Sequence, residues 1–300
     1  MEFQQMRYFV KIAEHESFTR AAEELYVTQP MLTRAIKTLE EEMGTKLIER
    51  TSKSFRLTDA GRLFYQQAVE MLHKHDDIYR SIDDVKSIRK GQVKMSIPGV
   101  LIDVYFAPLL ARFGKEHPGI DISIIEEGSK DTAKSVISGK VDLGLAMMPI
   151  EVASEMNIYT VISDEAYILM SKRHPLSEYD IIPIEALSDQ PIITFGDTST
   201  LHDEVLKTFS QCGVKPHMPY KTMMVNFTVQ MVSMGQCVAF IPRPVIQHFI
   251  TENLTLRPTS PSIKWEIAII ENKNRYSSYA ATHLTTFMRS YFTELGGKAE

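Results

Sequence analysis

Thr33, Arg34 and Lys37 lie close together in the stretch QPMLTRAIKTLEEEM, and they carry side chains that can read base edges in DNA. An Arg or Lys donates to the acceptor edge of guanine, and a hydroxyl, or an amide such as that of Gln29, reads other edges. On a wheel of about 100° per residue, Leu32, Ala35, Ile36, Leu39 and Met43 gather on one side. Pro30, Arg34 and Lys37 point the other way, with Thr33 on the flank. Taken singly, each basic residue is an ordinary solvated position. Taken together with a turn, a cap, an apolar stripe and a basic ribbon in order, they form a pattern consistent at several levels.

The elements that must hold these residues are short. Phe3, Met6, Val10 and Ala13 recur at helical spacing. Ser17 caps a second helix with the stripe Phe18, Ala21, Ala22 and Leu25, whose small alanines let another helix come close. Thr28 or Gln29 opens the third helix, Pro30 falls in its first turn where no N–H partner is lost, and Gly44 stops it. In TKLIERTSKSFRLTDAG, Leu47 and Ile48 are set to pair with Phe55 and Leu57 across a turn at 51–54. Arg50, Lys53 and Arg56 would decorate that β-wing, where cations position a protein on phosphates. Residues 1–58 thus read as a winged helix-turn-helix domain.

Thr58 caps the next helix, expected to run from Asp59 to about Arg89, some 45 Å at ~1.5 Å per residue. Leu63, Phe64, Ala68, Met71, Leu72, Ile78, Ile82 and Val85 are spaced as a seam for a partner helix. The run HKHDD (73–77) puts His73 and Asp77 at i, i+4 but reads as a solvated face, so no metal is expected there. RKGQ (89–92) makes a hinge, and 59–90 form a linker and dimerisation segment.

Beyond it the pattern alternates: VKMSI, a helix in DVYFAPLLARFGKE, IDISIIEE, a helix before SGK, then VDLGLAM. The series returns as PIITF, a helix around Asp203 to Cys212, YKTMMV, a helix from Phe227 to Met234, and CVAFIP. Ile158 to Met170 reads as crossing strands, and a helix from Tyr279 to Phe292 closes the chain after Trp265 and IAIIE. Such α/β halves place a ligand cleft at the strand ends. Residues 91–300 therefore read as two lobes, about 91–161 plus 268–300, and 162–267. The expected lining is Pro98, Gly99 and Val100 after the first strand, Ser129, Thr194, Phe195, Thr198, His202, Asn226 and Phe227. Ser129 and Asn226 start helices, whose free N–H groups favour an anion but equally suit a simple cap.

Composition fits two or three soluble domains: 300 residues, 44% hydrophobic and 24% charged. A net charge of −5 excludes indiscriminate nucleic-acid coating and leaves room for a local basic surface. No run approaches a membrane span, and the amphipathic N-terminus is not a secretory signal. Cys212 and Cys237, far apart, argue against a disulfide framework and for the cytoplasm. Enzyme signatures (GxSxG, GxxxxGK[ST], HExxH, GxGxxG after a strand) are missing, so no catalytic residue and no cofactor are expected.

The run AAEELYVTQPMLTRAIKTLEEEMGTKLIER, extended through LTDAG, resembles the N-terminal domain of LysR-type transcriptional regulators. APLLARF, EEGS, SGKVDLGLA and MGQCVAFIPR resemble that family's effector domain, which shares its fold with periplasmic solute-binding proteins. The resemblance implies a mixed α and α/β chain: winged helix-turn-helix, long dimerising linker helix, and two-lobed periplasmic-binding-protein-like domain. It implies groove contacts from Gln29, Pro30, Thr33, Arg34 and Lys37, and backbone or minor-groove contacts from Arg50, Lys53 and Arg56. Thr19, Arg20, Thr28 and Met31 complete the expected DNA-contacting set. It further implies double-stranded DNA and a small effector as partners, and a homo-oligomer, commonly a dimer of dimers, whose geometry the effector alters. The chain departs from the family at Pro98-Gly99-Val100, where many members carry an effector-binding Ser or Thr; fewer hydroxyls on that wall suit a more apolar ligand. Peroxide-sensing members use a cysteine pair close in sequence, which this chain lacks. The competing reading is a stand-alone solute-binding protein or an enzyme on the same C-terminal fold.

Overall fold

The computed structural model describes residues 1–50, 55–86, 91–246 and 252–296. The chain divides into two compact units, Met1–Val85 and Lys86–Glu300.

In the first unit, α1 (Phe3–His15), α2 (Phe18–Glu24) and α3 (Gln29–Met43) precede a ribbon of β1 (Ile48–Arg50) and β2 (Phe55–Leu57), then α4 (Asp59–Lys86). Ser17 Oγ accepts from Arg20 N at 3.3 Å and starts α2. Gly44, at φ 67°, ends α3 in a left-handed conformation open to glycine. Phe9, Ile12, Ala21, Ala22, Leu32, Ile36 and Leu39 form one core. Two expected members are exposed instead. Phe3 is 47% exposed, its ring 4.9 Å from that of His75, and Met43 is 37% exposed. α1 is held instead on two sides, because Met6 and Val10 pack on Ala68 of α4 while Phe9 and Ile12 face α3. The wing pairs Ile48 with Leu57 and Arg50 with Phe55. Leu47 falls before this ladder, its carbonyl accepting from Thr58 N at 3.0 Å.

The α4 seam divides in two. Phe64, Ala68 and Leu72 pack against α1, whereas Leu63, Met71, Ile78 and Ile82 remain 46–63% exposed on the adjoining face. HKHDD is not a wholly solvated face as expected: Asp77 is buried, and the His75 ring lies between those of Phe3 and Tyr79. No group of His, Cys, Asp or Glu among the described residues could hold a metal ion. The expected stretch to Arg89 runs past the described end of α4.

The second unit opens with β3 (Gly91–Ile97). α5 (Gly99–Leu101) continues through a π-helical turn at Ile102–Phe106 into α6 (Ala107–Glu116). There follow β4 (Ile120–Glu126), α7 (Ser129–Ile137), β5 (Leu143–Met147), β6 (Met156–Ser171) and β7 (Ile182–Pro183). Next come β8 (Pro191–Thr194), α8 (Thr200–Gln211), β9 (His217–Lys221), α9 (Val225–Ser233), β10 (Val238–Pro242) and α10 (Arg243–Ile246). The chain ends with β11 (Leu254–Arg257), β12 (Thr259–Ser260), β13 (Ile263–Asn272) and α11 (Tyr279–Glu294).

Among the described residues a nine-stranded sheet runs β4-β3-β5-β13-β6-β10-β8-β9, with β11 also on β6. Its β3/β4/β5 and β10/β8/β9 groups are parallel, and the antiparallel strands β6 and β13 join them. β5 and β10 are buried along their whole length, which is why LGLAM and VAFIP read as unbroken apolar runs. Gly144 lets α7 sit on β5: a Cβ there would collide with Thr132 Cγ2 and come within 3.2 Å of the Ser96 carbonyl oxygen. The register of β13 against β6 shifts between Ile267 and Ala268, at a bulge.

Candidate nucleic-acid interface and ligand cleft

In the first unit, Leu32, Ile36 and Leu39 of α3 are fully enclosed. The opposite face carries Gln29, Pro30, Met31, Arg34 and Lys37, all exposed, with Thr33 half-buried beside them. Gln29 Nε2 reaches Thr33 Oγ1 at 3.4 Å, a long contact that leaves both free to turn outward. Lys37 is engaged by Glu41 at 3.6 Å, a solvent-exposed i, i+4 pair that a phosphate can outcompete. Arg34 has no ion pair among the described residues. Thr19, Arg20 and Thr28 are exposed at the starts of α2 and α3, and Arg56 is exposed on β2. Lys53 and the Arg50 side chain lie outside the described residues.

One residue that sequence reasoning passed over holds this surface together. Glu40, on the buried side of α3, accepts from Leu47 N at 3.0 Å and Ile48 N at 3.2 Å, and from Lys46 Nζ at 2.6 Å. It thus fastens the end of α3 to the first strand of the wing. Burial alone would push its carboxyl up, but Lys46 and the two backbone donors outweigh burial and hold it below the usual carboxylate range. In LEEEMG it resembles any surface glutamate; only the buried i, i+4 position after Ile36 hints otherwise.

The second unit contains a small cleft that is partly open to solvent. Of the expected residues, Pro98, Val100, Ser129 and Phe195 line it, with Leu101, Met147, Ser199, Leu201, Met223 and Trp265 among the additions. Gly99 sits against the Glu126 carboxylate instead of facing the cavity. Thr198 packs against Gly128, and its carbonyl accepts from Lys130 N at 3.2 Å. Thr194 and His202 are both buried and bonded to each other, Oγ1 to Nδ1, at 3.0 Å. Burial, then the Lys221 charge, hold the His202 imidazole below its usual range. Asn226 and Phe227 are exposed and off the lining, because β9 ends at Lys221 and not at Val225, so the connector presents Met223 to the cavity. Gly196 N donates to Met223 Sδ at 3.3 Å and holds it there.

The rim is ionic. Lys130 Nζ meets Asp203 at 2.6 Å and the Asp197 carbonyl at 2.6 Å, joining the starts of α7 and α8. Lys221 reaches the Asp197 carboxylate at 2.6 Å, with His202 Nε2 at 3.6 Å from the same oxygen. Cys237 is buried, and burial pushes its thiol up to about 11.

Comparison with known proteins gives both units the same kin. Residues 3–62 match the family described as bacterial regulatory helix-turn-helix protein, lysR family, and residues 87–293 match the LysR substrate binding domain. The chain is 29% identical to the uncharacterized HTH-type transcriptional regulator YwbI of Bacillus subtilis over 97% of each chain. It is 28% identical to the regulator AlsR of the same organism over 81% of this chain and 80% of AlsR. In fold it is similar to a full-length OxyR variant from Pseudomonas aeruginosa (TM-score 0.68, 22% identity, 97% and 94% covered). It is also similar to full-length CbnR in complex with its target DNA (TM-score 0.61, 19% identity, 97% and 100% covered). With a match to both family models over nearly its whole length, this chain belongs to the LysR family of DNA-binding transcriptional regulators.

Proposed function

We propose that α3 enters the major groove of an operator through Gln29, Thr33, Arg34 and Lys37, while Arg56 and the rest of the wing engage phosphates. The observation that carries this reading is the two-sidedness of α3. Its apolar face is sealed in the core, and its cationic and hydroxylic face is turned outward beside a ribbon fixed by Glu40. The exposed stripe Leu63, Met71, Ile78, Ile82 on α4 pairs two chains, and a dimer of such dimers reads a partly palindromic site. In the C-terminal unit, lobes 91–161 plus 268–300 and 162–267 meet at the β13 bulge, and a small effector in the cleft fixes their arrangement. That arrangement sets the spacing of the reading heads, with a coupling of about 1–3 kcal/mol. The protein works in the cytoplasm; among the described residues no helix is long and apolar enough to cross a membrane.

The test is fluorescence anisotropy with the full-length protein on a duplex that it has itself selected from genomic fragments. Arg34→Ala should weaken binding at least tenfold, and wild-type affinity should fall steeply with salt. Undiminished binding by Arg34→Ala would overturn the role given to α3, and failure of the wild type to select any duplex would favour a solute-binding protein or enzyme in which the N-terminal unit serves association alone.

A further inference from the structure

Resting on the reading of the cleft as an effector site, we propose that it takes a small uncharged, mostly apolar molecule bearing a single hydroxyl or carbonyl, and rejects organic anions. Its walls are Val100, Leu101, Phe195, Leu201, Met223 and Trp265. Among the described residues no Lys, Arg or His is on the lining. Three cations on segments that border the lining are already matched: Lys130 by Asp203, Lys221 by Asp197, Arg243 by Asp164 at 3.2 Å.

The helix ends offer an anion no better reception. Asp131 lies in the first turn of α7 and Asp203 in that of α8, so each positive dipole end already faces a carboxylate of its own helix. Lys130 N, one of the donors left free at the start of α7, is taken by the Thr198 carbonyl. A carboxylate entering this cavity would give up its hydration and find no countercharge.

Two hydroxyls remain. Ser129 Oγ accepts from Met147 N at 2.9 Å, which directs its own proton elsewhere and leaves it as a donor. Ser199 Oγ has no hydrogen bond among the described residues. Two hydroxyls on an otherwise apolar lining satisfy one neutral polar group and fix its orientation.

Trp265 is the chain's only tryptophan and lies in the wall, so the binding site carries its own reporter. Full-length protein would be titrated with 4-nitrobenzyl alcohol and with 4-nitrobenzoate, a pair that differ chiefly in charge and whose nitro group quenches indole emission. The expected result is saturable quenching by the alcohol at a Kd at least tenfold below that for the carboxylate. Met223→Lys, at a position exposed enough to accept a lysine, should reverse that order. Val100→Phe, with an unchanged melting temperature as the check on folding, should abolish saturation by the alcohol.

Equal or tighter binding of the carboxylate by wild type overturns the proposal, as does failure of both probes to saturate. Operator binding by the same preparation, followed by anisotropy, is the separate readout of the regulator reading. Its retention beside a carboxylate preference removes only the ligand class, and its loss removes the regulator reading.

Discussion

Replacing Glu40 by Ala leaves two enclosed N–H groups, those of Leu47 and Ile48, without their acceptor. A buried donor left unsatisfied costs about 1–3 kcal/mol, so the variant should lose roughly 2–6 kcal/mol from the first unit. The Lys46 pair contributes little of this. Its ammonium side is 72% exposed, and removing it by Lys46→Ala should cost under about 1 kcal/mol. Glu40→Gln keeps one oxygen and should fall between the two. The carboxyl is held below its ordinary value of 4.5 in the fold. Its stabilisation is therefore complete above that value and fades as the pH drops through the folded one, so wild type and Glu40→Ala should converge in acid. Hydrogen exchange in the full-length protein reads this directly, through the Leu47 and Ile48 amides and peptides covering α3. If those amides exchange as slowly in Glu40→Ala as in wild type, or if Lys46→Ala proves as costly as Glu40→Ala, the account of the wing's attachment is wrong.

On α4, Ile78→Asp puts a charge into the exposed stripe and should weaken self-association at least tenfold in sedimentation equilibrium; an unchanged assembly would show that the stripe pairs nothing. Gly144→Ala forces α7 off β5 and should lower stability of the second unit by about 1–3 kcal/mol in urea unfolding, since neither Thr132 nor the Ser96 carbonyl has room to yield. Cys237, with its thiol pushed up to about 11, should resist iodoacetamide in the native protein at pH 8 and react only on unfolding; prompt native labelling would contradict its enclosure.

The N-terminal unit was legible because its signals are local. Cap, turn, stripe and stop follow one another within a few residues, and each states its own geometry: Ser17 accepts where a cap should, and Gly44 turns left-handed where a stop should. What escaped there was what depends on packing between elements. The spacing of Phe3, Met6, Val10 and Ala13 describes one helical face, but α1 is gripped from two sides, and Phe3 lies on neither grip. Likewise the periodicity of α4 fixes which residues are apolar and is silent on which of two adjoining stripes α1 will cover.

The cleft was legible in outline for the opposite reason. Alternating strands and helices dictate that something opens at the strand ends, and the residues just past β3 and β8 had to stand there, as Pro98, Val100 and Phe195 do. The remainder of the wall comes from segments as far apart as Met147 and Trp265, brought together by the antiparallel pairing of β5 and β13, which no local spacing encodes. The second half also turned on a strand end. YKTMMV has the composition of a strand throughout, yet pairing with β8 stops at Thr194–Lys221. The last ladder bond runs from Thr222 N to the Thr194 carbonyl at 3.0 Å; beyond it the chain turns, and Met223 reaches inward to the Gly196 amide. Asn226 and Phe227 are expected on the lining, and the Met223 thioether stands there instead. That one early stop in a ladder moves the chamber from amphipathic toward apolar, and with it the chemistry of whatever the chamber admits.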